Sequence, residues 1–143
     1  MEGSIFYKFQ QLDLTQFAMF EDNFDCKKDT DININCQFQF SYDRNASIVC
    51  CTISTVFKCN ESMIIKAELN SFFELKEDTA NKFIKENSIV LPKGILINFA
   101  SLGYGSLRGV IYAKTINTPL SRILLPPAHI NDIIKEDLVI EFD

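Results

Sequence analysis

The sharpest signal in the chain is an alternation over residues 32–42. Ile32, Ile34, Cys36, Phe38, Phe40 and Tyr42 are apolar, and Asn33, Asn35, Gln37, Gln39 and Ser41 between them are polar. Side chains of a strand point alternately to opposite faces, so this segment has one apolar face and one amide face. A strand in a sheet covered on one side fits that pattern. Asp43-Arg44-Asn45-Ala46 supplies turn residues. Residues 47–58, rich in Ile, Val, Thr, Cys and Phe, predict the next strand. A second short turn follows at Cys59-Asn60-Glu61-Ser62, then a longer strand over residues 63–75. In it Met63, Ile65, Ala67 and Leu69 face one way and Lys66, Glu68 and Asn70 the other, while the pair Phe72-Phe73 predicts a bulge or bend near Ser71. Connections this short require antiparallel neighbours. An earlier strand is expected over residues 4–14, and an acidic surface loop over 22–31.

After Glu77 the period changes. Residues 78–87 predict one or two helical turns, and Pro92 suits the first turn of a long helix over 95–115. That helix is apolar nearly all round, with Arg108 and Lys114 its main charges, and such a helix is expected to be buried. A domain this small can scarcely cover it alone, so a partner chain is implied. Gly105, Gly109 and Ala113 stand four apart and form a flat stripe that allows close backbone approach. Glycines inside a helix cost roughly 1 kcal/mol each against alanine, which asks for a packing reason. A loop over 117–127 leads to a short helix over 127–136 with Ile130, Ile133 and Ile134 on one side. The order of elements predicts a single α+β domain over residues 1–143: a four-stranded antiparallel sheet, one long helix and a short C-terminal helix.

Composition narrows the function. With 47% hydrophobic and 23% charged residues, wholesale disorder is excluded. A net charge of −5 argues against a general nucleic-acid binder. No apolar run approaches the length of a bilayer span and no signal peptide opens the chain, so a cytoplasmic protein with no membrane insertion is expected. The five cysteines, Cys26, Cys36, Cys50, Cys51 and Cys59, are expected to be free thiols of a reducing compartment. With no CxxC and a single histidine, His129, a zinc site has no ligand set.

Three motifs resemble sites of chemistry and fall short of them. The glycines at 103, 105 and 109 have the wrong spacing for a dinucleotide loop, and no acidic residue follows until Asp132. The segment opening at Asp29 lacks the glycine and the final glutamate of a calcium loop. His129 has no evident nucleophile. The reading is therefore of a non-enzyme with no cofactor and no metal. What remains is an aromatic surplus of 13 Phe and 4 Tyr, which suits a surface for apolar segments of another chain.

The segments Lys66-Ala67-Glu68-Leu69-Asn70-Ser71-Phe72-Phe73-Glu74-Leu75, Leu91-Pro92-Lys93-Gly94-Ile95-Leu96-Ile97-Asn98-Phe99-Ala100, Gly109-Val110 and Leu120-Ser121-Arg122-Ile123-Leu124-Leu125-Pro126-Pro127-Ala128-His129-Ile130-Asn131 follow one another in an order that resembles the SecB family of export chaperones. The resemblance runs from about residue 32 to 134. It implies a homo-oligomer, a dimer of dimers with the long helices at its centre, that holds unfolded client polypeptides without ATP and passes secretory ones to the SecA motor. It places a peptide-binding groove at Phe38, Phe40, Phe72, Phe73 and Leu75, with Ile130 and Ile134 beneath. It places the oligomer interface at Phe99, Leu102, Gly105, Gly109, Tyr112 and Ala113, and motor docking at Glu68. Lys66 stands where the family carries an acid, Asn70-Ser71 replaces a glycine pair, and the acidic tail is short. These departures bear on SecA more than on clients, and a chaperone or adaptor dedicated to one partner such as an antitoxin is the alternative.

Overall fold

The computed structural model describes residues 7–25 and 32–142. Strands β1 (Tyr7–Met19), β2 (Ile32–Asp43), β3 (Ile48–Cys59) and β4 (Ser62–Leu75) form one antiparallel sheet in the order β1-β4-β3-β2. Helix α1 (Glu77–Phe83) leads into β5 (Ile84–Lys85) and β6 (Ser88–Leu91), then into the long helix α2 (Lys93–Thr115). A 3-10 turn (Pro119–Arg122), a single helical turn α3 (Ile130–Ile133) and β7 (Leu138–Glu141) complete the chain. Strands β5, β6 and β7 make a second, three-stranded antiparallel sheet.

The alternation of β2 is kept along its whole length and runs in register into its neighbours. Phe38 lies opposite Ile53, and Ile53 opposite Leu69. On this side of the sheet Val49, Cys51, Ile53, Thr55, Phe57 and Cys59 of β3 are all buried, as are Ile65, Ala67, Leu69, Ser71, Phe73 and Leu75 of β4. Helix α2 covers them with Ile95, Leu96, Phe99, Ala100, Gly103, Tyr104, Leu107 and Ile111. The other side of the sheet carries Gln37, Gln39, Thr52, Ser54, Glu68 and Asn70. The β3–β4 hairpin turns through Asn60 and Glu61, both at positive φ (49° and 72°), the turn whose twist matches that of the strands.

Several expectations are corrected. β4 pairs with β3 without a break at Ser71, so Phe72 and Phe73 fall on opposite faces; the irregularity near that point lies in the other neighbour, β1, whose register shifts at Phe9/Gln11 opposite Phe73 and Phe72. The register shifts occur in β1, at Phe9/Gln11 and Leu14/Gln16, and beside Met63, where Ile64 is pushed into the core. Strand β1 runs on to Met19 because β4 is long enough to pair with it. The C-terminal helix is only one turn, and within the short acidic tail Leu138 and Ile140 pair with β6. Within the protomer α2 buries the stripe that faces its own sheet, while Leu102 and Tyr112 on its outward side remain 37% and 49% exposed. Cys59 is disulfide-bonded, whereas Cys36, Cys50 and Cys51 are free, so the expectation of free thiols fails for Cys59. The end of β3 brings Cys59 Sγ to 3.7 Å from the Asp25 carboxylate, in the expected surface loop. Cys26 lies outside the described residues.

Helix and sheet approach most closely at Gly103. A Cβ there would stand 3.0 Å from Ser71 Oγ and 3.1 Å from Ile53 Cδ1. Ser71 Oγ is fully buried with no hydrogen-bond partner among the described residues. An unpaired buried hydroxyl costs about 1–3 kcal/mol. Ser71→Ala is therefore expected to raise the urea midpoint, by about 1 kcal/mol of stability. Gly103→Ala is expected to be better tolerated in that background than in wild type. An unchanged or lowered midpoint for Ser71→Ala would show that the hydroxyl finds a partner.

Candidate functional site

The apolar face of β2 is where the fold leaves hydrophobic surface open. Ile32, Ile34, Cys36, Phe38, Phe40 and Tyr42 are each only half-buried. Phe38 stacks on Tyr104 of α2 at 6.2 Å between centroids, and this contact divides the face into two ends. At one end a cleft of about 450 Å³ is walled by Phe40, Leu96, Ile133, Ile134 and Leu138, with Lys135, Glu136 and Asp137 at its rim. At the other, a cleft of about 310 Å³ is walled by Ile32, Ile34, Ile123, Leu124 and Pro126 beside Arg122. Six residue steps of extended chain lead from Ile34 to Phe40, roughly 20 Å at about 3.3 Å per step.

Two polar contacts fix the second wall. Tyr104 donates its hydroxyl to the Pro126 carbonyl at 2.5 Å, and Arg108 Nε donates to the Leu125 carbonyl at 2.8 Å. They hold the extended 123–126 segment on α2 and leave Leu124 58% exposed. The wall of the first cleft follows from α3, whose single turn presents Ile133 outward, 51% exposed, and turns Ile134 inward.

Of the predicted groove residues, Phe40 and Ile134 meet in the first cleft and Phe38 stands between the clefts. Ile130 lies beneath, in the core. Phe73 and Leu75 are core residues and not groove walls. Phe73 stacks face to face on Phe99 at 4.0 Å, and Leu75 is 2% exposed. Phe72 is on the opposite face of the sheet, opposite Cys50. Phe99 is likewise removed from the predicted oligomer interface: it is 0% exposed, held between Phe73 and Tyr7 (4.8 Å) within its own chain. Leu102, Gly105, Gly109, Tyr112 and Ala113 lie on the outward side of α2. Missed altogether were Leu96, Ile133 and Leu138, and the cleft at Ile32, Ile34 and Leu124. The uncovered face of the alternating strand was the available signal for the latter.

Glu68 lies on the polar side of the sheet in a shallow depression with Gln16, Asn35, Gln37, Ser54 and Lys66. Thr15 donates to one carboxylate oxygen at 2.6 Å and Ser54 to the other at 3.0 Å. The Thr15 and then the Ser54 hydrogen bond hold its carboxyl below the usual range. Among the described residues no cluster of His, Cys, Asp and Glu could hold a metal ion, and no helix is long and apolar enough to cross a membrane.

Burial pushes up the thiols of Cys36, Cys50 and Cys51, that of Cys51 to about 12. Burial, and next the neighbouring Cys36, push the Tyr104 phenol to about 12.

No protein-family profile and no curated protein matches the sequence. Among solved structures, one similar chain is the SecB-like chaperone of Mycobacterium tuberculosis in complex with a ChAD peptide from the HigA1 antitoxin. It has 14% identity over 85% of this chain and 90% of that one, with a TM-score of 0.50. Another is a protein of unknown function from Streptococcus agalactiae, with 13% identity over 88% of this chain and 99% of that one and a TM-score of 0.44. The likeness to the first shows the fold, an antiparallel four-stranded sheet carrying a long helix.

The two raised groups predict a pH dependence. Their folded pKa values exceed the ordinary 9.0 of Cys51 and 10.0 of Tyr104, so the folded state keeps protons that the unfolded state releases. Their contribution is intact below about pH 9 and lost as the pH climbs towards about 12. The urea midpoint is expected to fall between pH 9 and 11, less steeply in Cys51→Ala. Equal slopes would show that Cys51 titrates normally.

Proposed function

We propose that this chain is an ATP-independent, SecB-like chaperone that holds unfolded or non-native segments of other polypeptides in the clefts along β2. One observation carries the reading: the apolar face of β2 is half-open and flanked at both ends by apolar clefts. Transfer of apolar side chains out of water is non-directional, so such surface accepts many sequences. The order of matching segments in the sequence and the SecB-like fold of the mycobacterial chaperone agree with it. Two clefts roughly 20 Å apart suit an extended segment better than a small molecule. The charged rim and the net charge of −5 favour cationic segments, mainly through the rate of encounter.

A second reading is favoured by the peptide in the mycobacterial structure, which comes from an antitoxin. In it the same clefts serve one dedicated partner. Docking on the SecA motor for protein export, through Glu68, is the less supported extension, because both Glu68 oxygens are already engaged. The chain assembles as a homo-oligomer through the outward stripe of α2, where Leu102, Gly105, Gly109, Tyr112 and Ala113 expose small and apolar surface. A dimer of dimers is the arrangement the SecB resemblance implies.

Two experiments test these statements. Phe40→Ser removes an aromatic wall from a half-buried site, so the fold is expected to survive. Affinity for a labelled, permanently unfolded polypeptide should fall about tenfold, the scale of one apolar side chain exposed again. Unchanged affinity in the folded variant would remove the β2 clefts from the account. For assembly, Gly109 has no atom within 4 Å of its would-be Cβ, so Gly109→Leu should leave the protomer at least as stable. The same variant should sediment as smaller particles than wild type, because a bulky group prevents close helix approach. A wild-type protein that is monomeric at micromolar concentration would end the assembly proposal.

A further inference from the structure

The outer wall of the Phe40 cleft continues directly into the C-terminal segment 137–142, and that segment is tied down at three separate places. Asp137 Oδ1 accepts from Lys93 N at 2.7 Å, capping the first turn of α2. No residue of α2's own N-terminus makes a side-chain cap, and its first turn holds no acid, so this cap comes from the far end of the chain. Next, β7 pairs antiparallel with β6, from Leu91 opposite Leu138 to Ser88 opposite Glu141. Last, Phe142 N donates to Asn87 O at 2.7 Å. Its ring sits 6.1 Å from Tyr42 and under the Arg44 guanidinium at 4.4 Å, against the β2–β3 hairpin.

Each attachment is slight. The pairing is four residues long, at the edge of the small sheet. Leu138, Ile140 and Phe142 are only half-buried, and Val139 between them is 56% exposed. A mostly apolar strand of alternating burial, laid beside an apolar cleft, has the chemistry expected of an occupant of that cleft. The backbone edge of β6 beneath it would serve any other extended strand equally well, since main-chain pairing is independent of sequence.

We infer that residues 137–142 form an intramolecular strap that runs from the wall of the Phe40 cleft along β6, and that an extended client segment with alternating apolar residues displaces β7 and pairs with β6 in its place. The inference rests on the chaperone reading and adds to it the conformation of the client and a built-in competitor. The strap lowers apparent affinity by the fraction of molecules in which it is closed, so loosening it tightens binding.

The test uses the full chain and a labelled peptide of alternating leucine and serine with a lysine at each end. Phe142→Ala and Arg44→Ala each remove the ring–guanidinium contact, and neither residue lines the cleft. Each variant is expected to bind the peptide about two- to fivefold tighter than wild type, the scale of one exposed cation–π contact. In wild type, the amides of 139–142 should exchange faster with solvent when the peptide is bound. Wild-type binding with equal or weaker binding by both variants overturns the strap and leaves the chaperone reading standing. So does retained protection of 139–142 in the complex, a measurement that needs no variant. No binding by wild type or by either variant overturns both readings. Binding by the variants alone supports both, with the strap mostly closed.

Discussion

One helix cannot cover four strands. An α-helix with its side chains is about 10 Å across. Four strands spaced about 4.8 Å apart span roughly 15–19 Å. In this chain α2 sits over β3 and β4, whose inward side chains are all buried. The edge strands are left short of cover, and every inward residue of β2 from Ile32 to Tyr42 is only half-buried. A larger domain would add a second long helix. Here the remaining cover is improvised from the irregular 123–126 segment, one turn of α3 and the strand β7. Clefts form where those pieces do not meet, and the apolar surface of Phe40, Ile34 and Leu124 is the direct result.

Helix α2 lies close to the sheet, close enough that a Cβ at position 103 would stand 3.0 Å from Ser71 Oγ, which is buried with no partner among the described residues. Phe73 and Phe99 stack at the middle of this contact, with Tyr7 edge-on against Phe99. A rigid helix–sheet unit of this kind can carry softer cover at its margin without losing its fold. Low local stability at a binding surface is the ordinary way in which sites that must open are built.

The sheet was legible in the sequence because its signal is local. The polar and apolar sets of residues 32–42 sort onto opposite faces with no exception, and the turns at Asp43 and Asn60 fall where their residues suggest. The site was less legible because it depends on which strand the helix covers, and strand order is not local. Phe72 and Phe73 read as one aromatic patch, yet a period of two sends them to opposite faces, one beside Cys50 and the other onto Phe99. Phe99 read as interface because an apolar helix looks the same from all sides until its sheet is known. Leu138 and Ile140 read as tail because strands of four residues carry too short a pattern to stand out among acids. Cys59 sits in an alternating run like the free Cys51, and nothing in the spacing distinguishes them.

In the proposed function clients lie along the half-covered face of β2 and not on the polar side of the sheet. Photo-cross-linking reads this directly, using an unfolded polypeptide that carries a benzophenone at successive positions, followed by peptide mapping. Cross-links are expected at Phe40, at 133–138, and at Ile34 or Leu124. Cross-links concentrated around Gln37, Ser54 and Glu68 would place the client on the opposite face and contradict the account.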